Sequence, residues 1–396
     1  MQKQKGCERF HAHAALASPC GWQNVATVRI WIVVAVSALT INGTSRAADW
    51  NVIPIAGRQY VSFANVSEFY SLPDYTRVSS SVSVRDRRRS IRAEAGKSEF
   101  AINGVRFFSE YPILSNGNDD LISAVDINKI IEPIMRPDKI AGASPVKRVI
   151  IDPGHGGTDN GAAGRWGSEK AFTLDVGLQL RDQLLRDGYQ VELTRSGDTS
   201  ISLEDRVAFA NKFPDAVLVS IHFNLSNGGA GIETYSLAPE GVPSNASPEH
   251  HPDAEDAPWH PGNAQDARNV ALAAAVHAVA MTRCGAFDRG VKHARFHLLR
   301  EARIPAILIE GGFLSDAVEG QKIATAQYRQ QLAAAIADGI KTYNAVVNLR
   351  SNGATFASAR RSLPAHERSI TEPLRDDTPP APTKIDEPSL SIRAGP

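Results

Sequence analysis

Residues 147–157 read Lys-Arg-Val-Ile-Ile-Asp-Pro-Gly-His-Gly-Gly. The apolar run ending at Ile151 predicts a buried strand, and Asp152-Pro153 ends it. Gly154, Gly156 and Gly157 around His155 then permit a tight loop whose backbone can approach a ligand closely. A helix is expected over Ser168 to Asp187, with Leu174, Leu178 and Leu185 on one stripe and Gly188 as its stop. Further strands are expected at Tyr189–Thr194, Ala216–Ile221, Gly231–Leu237, Phe296–Arg300 and Ala306–Ile309. Further helices are expected after a Ser202 cap to Lys212, from Asn263 to Arg283 and from Ala326 to Tyr343. Strands alternating with helices of this length predict an α/β fold, a mainly parallel sheet with helices on both faces.

Working outward, this α/β unit spans 146–348, behind a Pro-containing linker at 138–145. Before it, 49–137 predicts a small α+β domain. There Gln59–Phe63 reads as a strand, Ala64–Tyr70 as a short helix, and Asn103-Gly104 as the turn of a hairpin. Ile122–Ile131 reads as a strand running into a helix. The unit resembles small modules found beside bacterial wall hydrolases, and wall binding is the role that resemblance implies. Its Arg85, Arg87, Arg88, Arg89 and Arg92 suit either an anionic polymer or a solvated turn. Residues 1–48 read as an export signal, with a short apolar core from Ile30 to Ile41 followed by Ser45 and Ala47. Residues 349–396 are rich in Pro, Ser and charge and predict a disordered tail.

Composition narrows the function. The 43 basic and 43 acidic residues cancel, so nothing points to nucleic acid as partner. No run of apolar residues is long enough for a spanning helix in the mature chain. Cys284 alone of the three cysteines lies beyond the export signal, so the fold does not depend on an internal disulfide. Its surroundings in sequence suggest an inert core thiol.

The chemistry gathers where strands end. His155 follows the first strand of the α/β unit, His222 closes the strand at 216–221, and Glu310 closes the strand at 306–309. Glu169 opens the helix after the His155 loop. In open parallel sheets, sites form outside the carboxyl ends of the strands. Two imidazoles and a carboxylate suit zinc with a fourth position open for water. His155, Glu169 and His222 are therefore the expected zinc ligands. Glu310 is the expected catalytic acid/base, taking a proton from water and passing it to a leaving amine. Asp152 is expected to orient His155 from behind. The Gly-rich loop is no nucleotide-binding motif, because it lacks both the P-loop Lys-Ser/Thr and the GxGxxG spacing.

These stretches carry a resemblance. VIIDPGHGGTDNGA (149–162), SEKAFTLDVGLQL (168–180), VELTRSGDTSISLEDRVAFAN (191–211), SIHFN (220–224), GIETY (231–235), DRGVKHARFHLLR (288–300) and IPAILIEGGFLSD (304–316) occur in order. Together they resemble the zinc-dependent amidase-3 family of N-acetylmuramoyl-L-alanine amidases, over about half the chain. The resemblance implies cleavage of the bond between N-acetylmuramic acid and the L-alanine of the peptidoglycan stem. It implies the same zinc ligands and the same role for Glu310, and it places Asn224 and Arg289 along the cleft, Arg289 equally well as a structural ion pair. The export signal at the N-terminus predicts a protein of the periplasm or cell envelope.

Phe223 stands where a small residue is expected, and Gly311-Gly312 where one glycine is usual; both are expected to reshape the cleft. Some family members carry a helical plug that a protein activator removes. Residues 238–262 are Pro-rich without helical period, so a lid-like loop is expected and an activator remains an open partner. His250, His251 and His260 in that loop read as exposed. The same ligands would serve a zinc peptidase or a deacylase acting on another wall component. An inactive wall-binding scaffold would instead have lost a ligand or the base, and all four residues are present.

Overall fold

The computed structural model describes residues 49–226, 229–245, 256 and 258–348. The export signal, the tail, His250 and His251 lie outside the described residues.

The chain opens with β1 (Val52–Ile55), β2 (Arg58–Ser62) and helix α1 (Phe63–Phe69). The Ser62 side chain accepts the Asn65 N–H, satisfying one of α1's free amide groups. A meander follows: β3 (Asp74–Val78), β4 (Ser81–Arg85), β5 (Ser90–Glu94), β6 (Glu99–Ile102) and β7 (Val105–Phe108). Asn103 and Gly104, both at positive φ, turn the chain between β6 and β7. Then β8 (Leu114–Ser115) and β9 (Asp120–Ser123) complete a small sheet with β1 and β2. Helix α2 (Ala124–Asp126), a π-helical turn at Ile127–Ile131 and α3 (Glu132–Met135) run on as one helical stretch.

The second half supplies β10 (Arg148–Pro153), the two-residue strands β11 (Ala163–Gly164) and β12 (Gly167–Ser168), and α4 (Glu169–Arg186). Next come β13 (Gln190–Leu193), α5 (Leu203–Ala210), β14 (Ala216–Asn224) and β15 (Ile232–Leu237). Then follow α6 (Asp266–Cys284), β16 (Asp288–Ala294), α7 (His297–Glu301), β17 (Ala306–Phe313), α8 (Ala317–Ile323) and α9 (Ala326–Asn348).

The strand order is β13-β10-β14-β17-β15-β16-β7-β6-β5-β4-β3. In the catalytic half the pairings are parallel, except that β15 runs antiparallel to β17. Alternation along the strands splits the core into two faces. Val149, Ile151, Val219, Ile221, Ile307 and Ile309 pack with α4, α6 and α9. Ile150, Leu218, Tyr235 and Leu308 pack with Val207 of α5 and Leu298 and Leu299 of α7. The expected α/β architecture is thus present.

The expected linker does not divide two sheets. Strand β7 pairs parallel with β16 through Phe107 and Val291, so the meander continues the catalytic sheet. Ile140, Ala143 and Val146 of the linker region are buried in a core shared by both halves.

Two local expectations are corrected. The buried face of α4 is Phe172, Val176, Leu180 and Leu184, while Leu185 is exposed. The strand expected at 296–300 is instead the helix His297–Glu301, and Leu298 and Leu299 fill the second face of the core. Of the loop expected as a lid, residues 246–255 and 257 lie outside the described residues; its described ends meet where Asn263 donates to the Ala238 carbonyl.

Candidate active site

The same alternation that builds the core assembles the site. On β14, His222 shares a face with Leu218 and Ser220; on β17, Glu310 shares it with Leu308. The parallel register sets His222 beside Glu310, and the antiparallel register sets Glu310 beside Glu233 of β15. Three polar residues on adjacent strands therefore stand abreast at the carboxyl edge.

His155 and Glu169 reach this row from the loop after β10 and the first turn of α4. His155 Nε2 lies 3.0 Å from Glu169 Oε2, and His222 Nδ1 lies 2.9 Å from Glu169 Oε1. One ligand atom from each of the three residues falls within 4.8 Å of the others. Glu169 also accepts the backbone N–H groups of Ala162 at 2.8 Å and Phe223 at 3.0 Å. Burial opposes its ionisation, but the two imidazoles and the Phe223 amide win and hold the carboxyl far below the usual range. Its place at the N-terminus of α4 favours the anion further.

The loop is shaped for this approach. His155 sits at φ 60°, a sparsely populated conformation for a side-chain-bearing residue. A Cβ on Gly154 would meet the His222 ring at 2.3 Å, and one on Gly161 would meet Glu169 Oε2 at 2.5 Å. Two buried arginines fasten the loop by its carbonyls. Arg206 donates to Pro153 O and His155 O, and Arg195 to Pro153 O and Gly154 O.

Glu310 differs from Glu169. Its Oε2 is buried and has no hydrogen-bond partner among the described residues. Burial, then the negative charges of Glu169 and Glu233, push its carboxyl well above the usual range, with Lys292 partly offsetting them. A buried carboxyl with an oxygen left unspent among the described residues has the geometry of a general acid/base.

Asp152 is placed differently from expectation. It makes no hydrogen bond to His155: its carboxylate accepts Arg206 at 2.6 Å, Thr194 Oγ1 at 2.6 Å and Ser220 Oγ at 2.7 Å. Asp152 anchors the arginine that grips the loop. The carboxylate on His155 Nδ1 is Asp159, at 2.8 Å. Sequence reading passed over Asp159, although a carboxylate four residues beyond a loop histidine was the available signal.

Asn224 and Arg289 do come to the cleft side, both through Glu233. Glu233 accepts Asn224 Nδ2 at 2.7 Å, Tyr235 OH at 2.7 Å, Arg289 Nε at 2.9 Å and Lys292 Nζ at 2.7 Å. Sequence reading missed this carboxylate too, since only the β15–β17 pairing turns it toward the site.

The two departures at Phe223 and Gly311 are one packing event. Phe223 is 1% exposed and points to the α4 face, edge-on to Phe172. A Cβ on Gly311 would lie 3.1 Å from the Phe223 ring and 2.4 Å from Leu332. The bulk therefore goes into the core and not into the cleft.

The remaining candidates are structural. His277 is buried between Thr234 and Asp288. Burial pushes the Cys284 thiol up to about 12. Of the arginine group, Arg89 is spent on Asp86 and the Tyr70 carbonyl, while Arg85, Arg87, Arg88 and Arg92 are exposed.

Two imidazoles and two carboxylates at the carboxyl edge of a parallel sheet define a hydrolytic enzyme of the α/β class. The sequence model of the N-acetylmuramoyl-L-alanine amidases matches residues 149–342. A sporulation-specific N-acetylmuramoyl-L-alanine amidase of Bacillus subtilis (strain 168) is 33% identical over 196 residues, 49% of this chain and 67% of that protein. N-acetylmuramoyl-L-alanine amidase CwlM of Bacillus licheniformis is 31% identical over 211 residues, 53% of this chain and 72% of its own. N-acetylmuramoyl-L-alanine amidase AmiA of Escherichia coli (strain K12) is 30% identical over 217 residues, 49% of this chain and 75% of its own. The chain belongs to the N-acetylmuramoyl-L-alanine amidase family.

Proposed function

We propose that this protein hydrolyses the amide between N-acetylmuramic acid and L-alanine in peptidoglycan, with zinc held by His155, Glu169 and His222. The observation that carries the reading is the convergence of three ligand atoms at the strand ends where Glu310 holds a buried Oε2 with no hydrogen-bond partner among the described residues. The donor set fits the ion: two imidazole nitrogens and a carboxylate form a three-ligand catalytic set. The cradle fits as well, since a Cβ at Gly154 or Gly161 would fill it.

Zinc in this place supplies a Lewis acid that acidifies water and polarises a carbonyl. The chain's own groups do the rest. Asp159 accepts the His155 Nδ1 proton and so turns Nε2 toward the ligand cluster. Glu310 takes the proton of the attacking water on its carboxylate and returns it to the alanine nitrogen as the amide C–N bond breaks. The glycan keeps the lactyl carboxylate, and the stem peptide leaves with a free L-alanine amino group.

We place the protein in the cell envelope, after export led by the apolar segment 30–41. Among the described residues no helix is long and apolar enough to cross a membrane. The test is digestion of purified peptidoglycan by zinc-loaded protein, with mass spectrometry of the soluble products. Stem peptides beginning at free L-alanine, with peptide-free glycan, are expected. New amino termini at any other residue would mean a wall peptidase instead.

A further inference from the structure

We propose that Arg289 recognises a carboxylate of the stem peptide, so that the enzyme prefers stems whose second residue carries a free α-carboxylate. This rests on the amidase reading and adds the substrate feature that the cleft selects.

The argument begins with an unequal sharing of charge. Glu233 has a side chain only 2% exposed and receives two cations, Arg289 and Lys292. One negative charge against two positive leaves a net positive charge beside the row His222–Glu310–Glu233. The two cations are not equivalent. The Lys292 side chain is 10% exposed and its ammonium faces Glu233. Arg289 is 29% exposed and spends only Nε on Glu233.

Arg289 is also held for a purpose other than packing. Its guanidinium lies over the Phe313 ring, 4.6 Å from the centroid. The ring fixes the guanidinium plane, Glu233 fixes the Nε edge, and the two Nη groups have no partner among the described residues. A planar fork pinned at one edge and open at the other suits bidentate capture of a carboxylate. The loop arginines show the contrast. Arg195 and Arg206 are 3% and 4% exposed and are spent on the Asp152 carboxylate, neighbouring carbonyls and Thr173. Arg289 combines partial exposure, a fixed plane and unspent donors.

The substrate chemistry supplies a match. The scissile nitrogen belongs to alanine, and the next residue of the stem is joined through its side-chain carboxyl. Its α-carboxyl is therefore free or amidated, and it lies a few bonds from the reacting carbonyl. An open guanidinium on Glu233, the strand partner of Glu310, distinguishes these two forms by charge.

The test uses two synthetic muropeptides that differ only in that α-carboxyl, free acid against amide. Steady-state kcat and KM are measured for the full zinc-loaded enzyme, Arg289→Lys and Arg289→Gln, with thermal melts to show that the variants fold. Wild type is expected to favour the free acid about tenfold or more in kcat/KM. Arg289→Gln should raise KM for the acid by that factor, leave its kcat within about twofold, and abolish the preference; Arg289→Lys should retain part of it. A parallel titration of Glu310→Gln with the two muropeptides reads the same preference without turnover. Equal use of both substrates by wild type, or an undiminished preference in Arg289→Gln, overturns the proposal while the amidase reading stands. Cleavage of neither substrate overturns both.

Discussion

Glu233 and Glu310 are partners across the antiparallel β15–β17 pair, yet the two carboxylates are in opposite condition. Glu233 accepts four hydrogen bonds, two of them from cations; Glu310 has a buried oxygen with none among the described residues. One carboxylate ties the strand ends together, and the other keeps an unspent oxygen, as the proposed acid/base role requires.

The cost of removing Glu233 follows directly. Glu233→Ala leaves the Lys292 ammonium, 10% exposed, without its carboxylate. Breaking a buried pair from one side costs about 3–5 kcal/mol. Urea melts of Glu233→Ala should show a loss of that order, and Lys292→Met in the same chain should recover much of it. A loss under 1 kcal/mol would mean that the network is not stabilising.

Asp159 and Asp152 should separate cleanly. Asp159→Ala removes the partner of His155 Nδ1 from an exposed position, so zinc affinity should fall about ten- to hundredfold with little change in melting. Asp152→Ala strands the buried guanidinium of Arg206 and should lower the melting temperature first. Chelator competition and melts on both variants check the order, and the reverse pattern would restore Asp152 as the group orienting His155.

A pH dependence comes from His293, far from the ligand row in hydrogen-bond terms. Its ring is buried, with Nδ1 on the Leu237 carbonyl and Ser236 Oγ, and Nε2 3.4 Å from Glu110. Burial, with Arg295 adding to it, pushes its pKa down to about 4. The folded state thus favours the neutral ring. That stability is fully present above the unfolded value near 6.5 and is lost as pH falls toward 4, by about 3 kcal/mol in all. Glu110, facing it and raised by burial and by Asp126, has the opposite sign, since its contribution is lost as pH rises through its folded value. Arg295, Asp266 and Lys129 complete the charged surroundings. Melting temperatures between pH 6.5 and 4.5 should fall more steeply for wild type than for His293→Gln. Parallel curves would refute this.

Three of the site residues were legible because each follows an apolar run: KRVII before the His155 loop, LVSI before His222, AILI before Glu310. Period-two strands fix which face such a residue takes, so strand ends alone brought His155, His222 and Glu310 together. Glu233 was illegible for the same reason in reverse: it lies inside a strand, and only its pairing with β17 reveals that it faces the site. Asp152 misled because adjacency in sequence is not adjacency in space; as the fifth residue of β10 it turns toward Ser220, its cross-strand partner. The segment Phe296–Arg300 reads as a strand by composition, yet Leu298 and Leu299 pack in one core with Tyr235 and Leu308 from the helix His297–Glu301. Long-range register, which no local pattern encodes, decided each of these cases.

The most direct test compares wild type with Glu310→Gln, both loaded with zinc, for bound metal and for release of stem peptides from peptidoglycan. The account predicts one zinc per chain in both proteins and free L-alanine termini from wild type, with release by Glu310→Gln reduced about a hundredfold or more. Glu310→Gln releasing stem peptides at the wild-type rate, with its zinc intact, would contradict it.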